Sequence, residues 1–155
     1  MVRIIDAETA GQLAQVRMLF EEYAAQLGHD LAFQRFSEEL ESLPGRYAPP
    51  AGRLLLGEAG GELVGCVGLR RQAGGICEMK RLYVRERFRG HGYGRALAVA
   101  VIDAARQIGY ERMRLDTLAS MHVPRELYYS LGFVDVPPYY DNPIPGAVFL
   151  ELRVR

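Results

Sequence analysis

The 155-residue chain is short of cysteine, of net charge and of long apolar runs. Its two cysteines, Cys66 and Cys77, form no CxxC pair and have no histidine-rich surroundings. Neither a metal centre nor thiol redox chemistry is indicated, and both read as small apolar core residues. Arginine and lysine together number 19, as do aspartate and glutamate. That balance leaves no electrostatic footprint for nucleic acid or for an anionic membrane surface. No apolar run approaches the ~20 residues of a spanning helix. The opening Met1-Val2-Arg3-Ile4-Ile5-Asp6 meets an acidic residue too early for a secretory signal. The expectation is a soluble cytoplasmic protein that contacts neither nucleic acid nor membrane. What is present is ordinary globular material, 49% hydrophobic and 25% charged. It suffices for a single domain over residues 1–155 with its own core.

Periodicity divides the chain into strands and helices. Val2–Ile5 reads as a short strand. From Thr9, the residues Leu13, Val16, Phe20, Tyr23 and Leu27 recur at three- and four-residue steps, the mark of a helix with one apolar face, and Gly28 stops it. A weaker helical pattern follows through Phe33, Phe36, Leu40 and Leu43 and ends at Pro44-Gly45. Three strand-like runs come next, Arg53–Ala59, Glu62–Arg71 and Ile76–Val84, joined by Gly60-Gly61 and Gly74-Gly75 as an antiparallel meander. Leu97, Val101, Ile102, Ala105 and Ile108 mark a third helix. "RMRLDTL" is a strand, "VPRELYYSLGF" carries a fourth helix, and Phe133–Val136 and Ala147–Val154 are strands. The class is α+β, with a mixed, mostly antiparallel sheet of about seven strands and four helices.

Gly90, Gly92 and Gly94 stand at alternate positions at the start of the third helix, where glycine weakens helix formation. A helix N-terminus presents unpaired N–H groups and partial positive charge. Clearing side chains from it lets an anion reach the backbone. A tight strand-to-helix turn would use one glycine; three of them, with Arg87, Arg89 and Arg95 around them, favour a phosphate site. The nucleotide pattern GxxxxGK(S/T) is absent, and GxGxxG fails because Leu97 occupies the third glycine position.

Arg89-Gly90-His91-Gly92-Tyr93-Gly94 is an RxxGxG pattern between a strand and a helix. With "EMKRLYV" (Glu78–Val84) before it and "LYYSLGF" (Leu127–Phe133) after it, the sequence resembles the GNAT superfamily of N-acetyltransferases over nearly its whole length. The resemblance implies that fold, with helices on both faces of the sheet, and acetyl-coenzyme A as cosubstrate with no metal. The cofactor would lie along Leu82, Tyr83 and Val84, its pyrophosphate on the amides of Arg89, Gly90, His91, Gly92, Tyr93, Gly94 and Arg95. The pantetheine arm would pair with the backbone like an added strand, and the Leu82 N–H would hold the developing oxyanion. The His91 side chain itself reads as a solvated loop residue. Many relatives carry N-x-x-A-x-x-L-Y, but Met121 and Pro124 stand here at the asparagine and alanine positions. A hydrogen bond to the pantetheine is then either missing or supplied by Thr117 or Ser120.

Acetylating an amine requires two proton movements. A lysine-like amine with pKa near 10.4 is neutral in about one molecule in a thousand at pH 7, whereas an α-amine near 8 faces a far smaller deficit. Glu78 matches the strand position where several relatives keep a basic carboxylate; an ordinary polar strand residue is the other reading. Tyr128 matches the tyrosine of LYxxxGF and would protonate the departing thiolate; the other reading is a tyrosine packed on an apolar helix face.

The family position of the acceptor implies Gly28–Phe36 and the loop Pro137–Gly146, making Phe33, Tyr139 and Tyr140 candidate contacts; a solvated connection with its tyrosines packed on the core is the other reading of that loop. The expected acceptor is a primary amine of a small molecule, attacking within a ternary complex. A protein amine, and an acyl-coenzyme A sensing module with little turnover, are the alternatives. The oligomeric state stays open, a homodimer included.

Overall fold

A computed structural model describes residues 1–155. It contains β1 (Arg3–Asp6), α1 (Ala10–Leu27), a 3-10 turn (Ala32–Gln34), α2 (Phe36–Ser42), β2 (Arg53–Ala59), β3 (Glu62–Ala73) and β4 (Ile76–Val84). There follow α3 (Tyr93–Ile108), β5 (Arg112–Leu118), α4 (His122–Ser130), β6 (Val134–Val136) and β7 (Ala147–Arg153). The sheet runs β1-β2-β3-β4-β5-β7-β6, antiparallel throughout except between β4 and β5. This is the expected α+β architecture of seven strands and four helices. No helix is long and apolar enough to cross a membrane.

Local signals account for the helix ends. Thr9 accepts from Gln12 N through Oγ1, and Gln12 Oε1 accepts from Thr9 N, a reciprocal capping box that stabilises α1 by about 1 kcal/mol. Gly28 ends α1 in the left-handed region, at φ 73°. The expected single helix over Phe33–Leu43 is instead two pieces. Arg35, at φ 57°, donates its amide to Ala32 O and terminates the 3-10 turn before α2 begins.

Strand alternation sends side chains to two layers. Leu55, Val67, Leu69 and Met79 join Leu97, Ala98, Val101 and Ala105 of α3 in the larger core. Leu54, Leu56 and Cys66 pack with Val16, Leu19 and Phe20 of α1 and with Tyr47 in the smaller one. Cys66 and Cys77 are buried and free, as their apolar reading implied.

Two interruptions of the ladder create the site. Strands β4 and β5 pair only through Ile76–Glu78 against Arg112–Arg114. Beyond that, β4 stays with β3 as far as Val84 and β5 stays with β7 as far as Leu118, so the parallel pair separates. The second interruption is a bulge. Between the pairs Cys66↔Tyr83 and Gly68↔Lys80, β3 has only Val67 while β4 has Arg81 and Leu82. Arg81 takes up the extra length at φ 59°, a left-handed conformation that is strained for a non-glycine residue.

Candidate active site

A groove of about 970 Å³ opens where β4 and β5 part. One end lies under the start of α3, and the other reaches Tyr23 of α1, the 3-10 turn and the β6–β7 loop.

At the α3 end, backbone conformation explains two of the three glycines. Gly90 and Gly92 sit at φ 84° and 79°, which glycine reaches without steric penalty. A Cβ on either would meet nothing within 4 Å, so the space outside them is open. Gly94 has ordinary dihedrals; a Cβ there would come within 3.7 Å of Val84 Cγ2 and 3.9 Å of Leu127 Cδ2. The first helical bond runs from Ala96 N to Gly92 O at 3.1 Å. The amides of Gly90 through Arg95 meet no acceptor within the chain. Arg95 Nη1 donates to Ser130 Oγ at 3.0 Å, and Arg89 Nε to Val84 O at 3.0 Å, with the second arm of Arg89 on Gln26.

Along the groove wall, Arg85 N donates to Val64 O at 2.9 Å. Strand alternation then turns the amide and carbonyl of Val84 away from β3 toward the groove. Opposite stands Tyr128 of α4. Its ring packs edge-on to Phe133 at 5.7 Å, and its hydroxyl is not among the buried atoms without a partner. The residue lines the groove, and burial pushes its phenol above the ordinary tyrosine range.

At the far end, side chains converge. Lys80, the only lysine in the sequence, places Nζ 3.1 Å from Asp116 Oδ1, with both side chains almost fully buried. Asp116 Oδ2 accepts from Asn142 Nδ2 at 2.8 Å, from Gln34 Nε2 at 3.3 Å and from the Tyr140 hydroxyl. Burial alone would raise the Asp116 pKa, but the Lys80 charge and these donors hold it below the ordinary carboxylate range. Burial pulls the Lys80 ammonium below the ordinary lysine range, against the pull of Asp116. Arg81 forks onto Glu39, with Nε and Nη2 each at 3.1 Å, and its Nη1 donates to Gln34 Oε1 at 2.6 Å. Its guanidinium lies over the rings of Phe36 and Tyr23, and these contacts hold the strained bulge.

Residues 15–133 match the model of the acetyltransferase (GNAT) family. The chain belongs to that family. An uncharacterised N-acetyltransferase of Schizosaccharomyces pombe is 40% identical over 144 residues, 92% of this chain and 88% of its own length. Among solved structures, a GNAT acetyltransferase of Staphylococcus aureus matches with a TM-score of 0.80 over 100% of both chains at 17% identity, a likeness of fold. A Bacillus subtilis acetyltransferase solved with coenzyme A matches with a TM-score of 0.69 over 99% of both chains at 24% identity.

In this GNAT N-acetyltransferase, Leu82, Tyr83, Val84, Arg89, Gly90, Gly92, Tyr93, Gly94, Arg95 and Tyr128 all line the one groove. His91 does not; it is exposed and stacks on Tyr93 with ring centroids 5.5 Å apart. Thr117, Ser120 and Met121 line the groove, so the two candidates to replace the missing asparagine amide are in place. Glu78 is off the groove wall. It lies where β4 and β5 still pair, with Oε1 accepting from Arg70 Nε at 3.0 Å and Oε2 from the Tyr139 hydroxyl at 2.9 Å. Phe33, Tyr139 and Tyr140 also stand behind the wall, packed on one another and on Phe149. Tyr140 reaches the site through Asp116. Sequence reasoning missed Gln34, Lys80, Arg81, Asp116 and Asn142. The one available signal was charge inside strand patterns, in "EMKRLYV" and "RMRLDTL".

Proposed function

We propose that the protein transfers an acetyl group from acetyl-coenzyme A to a primary amine of a small molecule, by direct attack within a ternary complex. The observation that carries this is the run of unpaired amides from Gly90 to Arg95 at the head of a groove flanked by a stretch of β4 that no strand pairs on that side. Amides on a helix N-terminus suit a pyrophosphate, and the β4 edge suits the pantetheine amides. The coenzyme A seen in the Bacillus subtilis relative supports the same reading.

The chain's own residues take the following parts. The Leu82 amide faces the charge that develops on the thioester oxygen. As the N–C bond forms and the C–S bond breaks, Tyr128 gives its proton to the leaving thiolate. Its raised pKa keeps that proton in place at neutral pH. Glu78 receives the amine's proton by relay, since Arg70 and Tyr139 occupy its two oxygens.

The test is thiol release from acetyl-coenzyme A with an amine library, alongside calorimetric binding of coenzyme A. Micromolar binding with turnover supports the reading. Binding with no turnover on any amine turns it into a sensing module, and loss of binding removes the site. For Glu78, the variant Glu78→Gln should lower the rate most at low pH; an unchanged pH–rate profile removes it from the proton path.

A further inference from the structure

The acceptor end of the groove has an excess of donors. Lys80 and Arg81 are each 4% exposed and both line it. An ammonium has three N–H groups and a guanidinium five. Lys80 uses one, on Asp116, and Arg81 uses three, on Glu39 and Gln34. Arg81 also faces Tyr23, whereas the Lys80 ammonium makes no hydrogen bond in the chain beyond Asp116, and leaving buried N–H groups unmatched is costly.

Acceptors are spent at the same place. Asp116 is the only carboxylate that lines the groove. Its two oxygens offer about four lone-pair sites. Gln34, Tyr140 and Asn142 crowd Oδ2, while Oδ1 is taken up by the Lys80 ammonium, which neutralises the carboxylate. Glu39 and Glu78 stand behind the wall and are engaged by Arg81, Arg70 and Tyr139. A purely cationic amine would meet only a carboxylate already neutralised by Lys80, whereas an anionic group would meet a buried ammonium with N–H groups to spare beside the Arg81 guanidinium.

We infer that the acceptor is an amino carboxylate: one small molecule whose carboxylate docks on Lys80 and Arg81 while its amine faces the thioester. This rests on the acetyl-transfer reading and assigns its acceptor class. Asp116 becomes a positioning residue, which fixes the Lys80 ammonium toward the groove.

The experiment uses matched acceptors, free amino acids against their α-amides and their decarboxylated amines, with the intact chain saturated in acetyl-coenzyme A. The expected result is kcat/KM at least tenfold higher for the carboxylate member of a pair. Binding of the same compounds to the coenzyme A complex is measured calorimetrically in parallel. Preferential binding of the carboxylate without turnover upholds the acceptor class and sinks acetyl transfer. Amides or amines that bind or react as well as the carboxylates overturn the inference and leave acetyl transfer standing. Failure of every pair to bind overturns it as well. Lys80→Gln should bring the carboxylate-to-amide ratio toward one. Lys80→Arg, which keeps the charge, should restore part of it. An unchanged ratio in Lys80→Gln excludes the lysine as the docking cation.

Discussion

The two ends of the groove present donors of different kinds. Beside α3 they are main-chain amides of consecutive residues, Gly90 to Arg95, fixed by the helix start and two left-handed glycines. At the far end they are side chains brought from the 3-10 turn, β4, β5 and the β6–β7 loop, each tied to another. The first end asks of the sequence only that side chains be absent. The second asks for particular side chains at positions far apart in the chain. A scaffold can therefore keep the first while altering the second, one residue at a time.

Substitutions can break that contrast, and the largest effect is expected at the side-chain end. Asp116→Ala leaves the Lys80 ammonium buried without its counter-charge. Stability should fall by about 3–5 kcal/mol in urea unfolding, with coenzyme A affinity unchanged. A matching loss of coenzyme A affinity would show that the two ends are coupled. Next comes Tyr128→Phe, which should lower kcat by about 100-fold, in the range for a missing general acid, with little change in cofactor binding. Undiminished turnover would leave Tyr128 as a packing residue. At the backbone end, Gly92→Val puts a β-branched residue at φ 79°. It should weaken coenzyme A binding about tenfold, near 1.4 kcal/mol by calorimetry, while amino-acid discrimination holds.

The smallest effect is in pH. Asp116 has a folded pKa below its unfolded value, so its contribution to stability is complete above the ordinary carboxylate pKa near 3.9. It is lost as the pH falls through the lower folded value. Acid titration of stability should show a decline below about pH 4 that is shallower in a variant lacking Asp116.

The strands, the helices and the α3 end of the groove were legible because their causes are local. Apolar periodicity marked α1 and α3, glycine pairs marked the β2–β3 and β3–β4 turns, and three glycines marked the free amides. The break at Arg35 was not legible, since a left-handed arginine carries no sign in the sequence. Neither was the bulge at Arg81, which depends on how β3 and β4 pair. The far end of the groove escaped for the same reason. Gln34 and Asp116 are 82 positions apart and meet only after the sheet is assembled. Tyr139 and Tyr140 drew attention through composition, yet they stand behind the wall, Tyr139 bonded to Glu78 and Tyr140 reaching the groove through Asp116.

Lys80 is the sole lysine, and the remaining permanent cations are arginines. Guanidinium groups stay protonated at any physiological pH and do not take up acyl groups as amines do. The one ε-amine is enclosed against Asp116, 4% exposed. The outer surface of the molecule therefore carries no lysine side chain for a reactive acyl donor to modify, and the one ε-amine stands in the groove, ion-paired to Asp116.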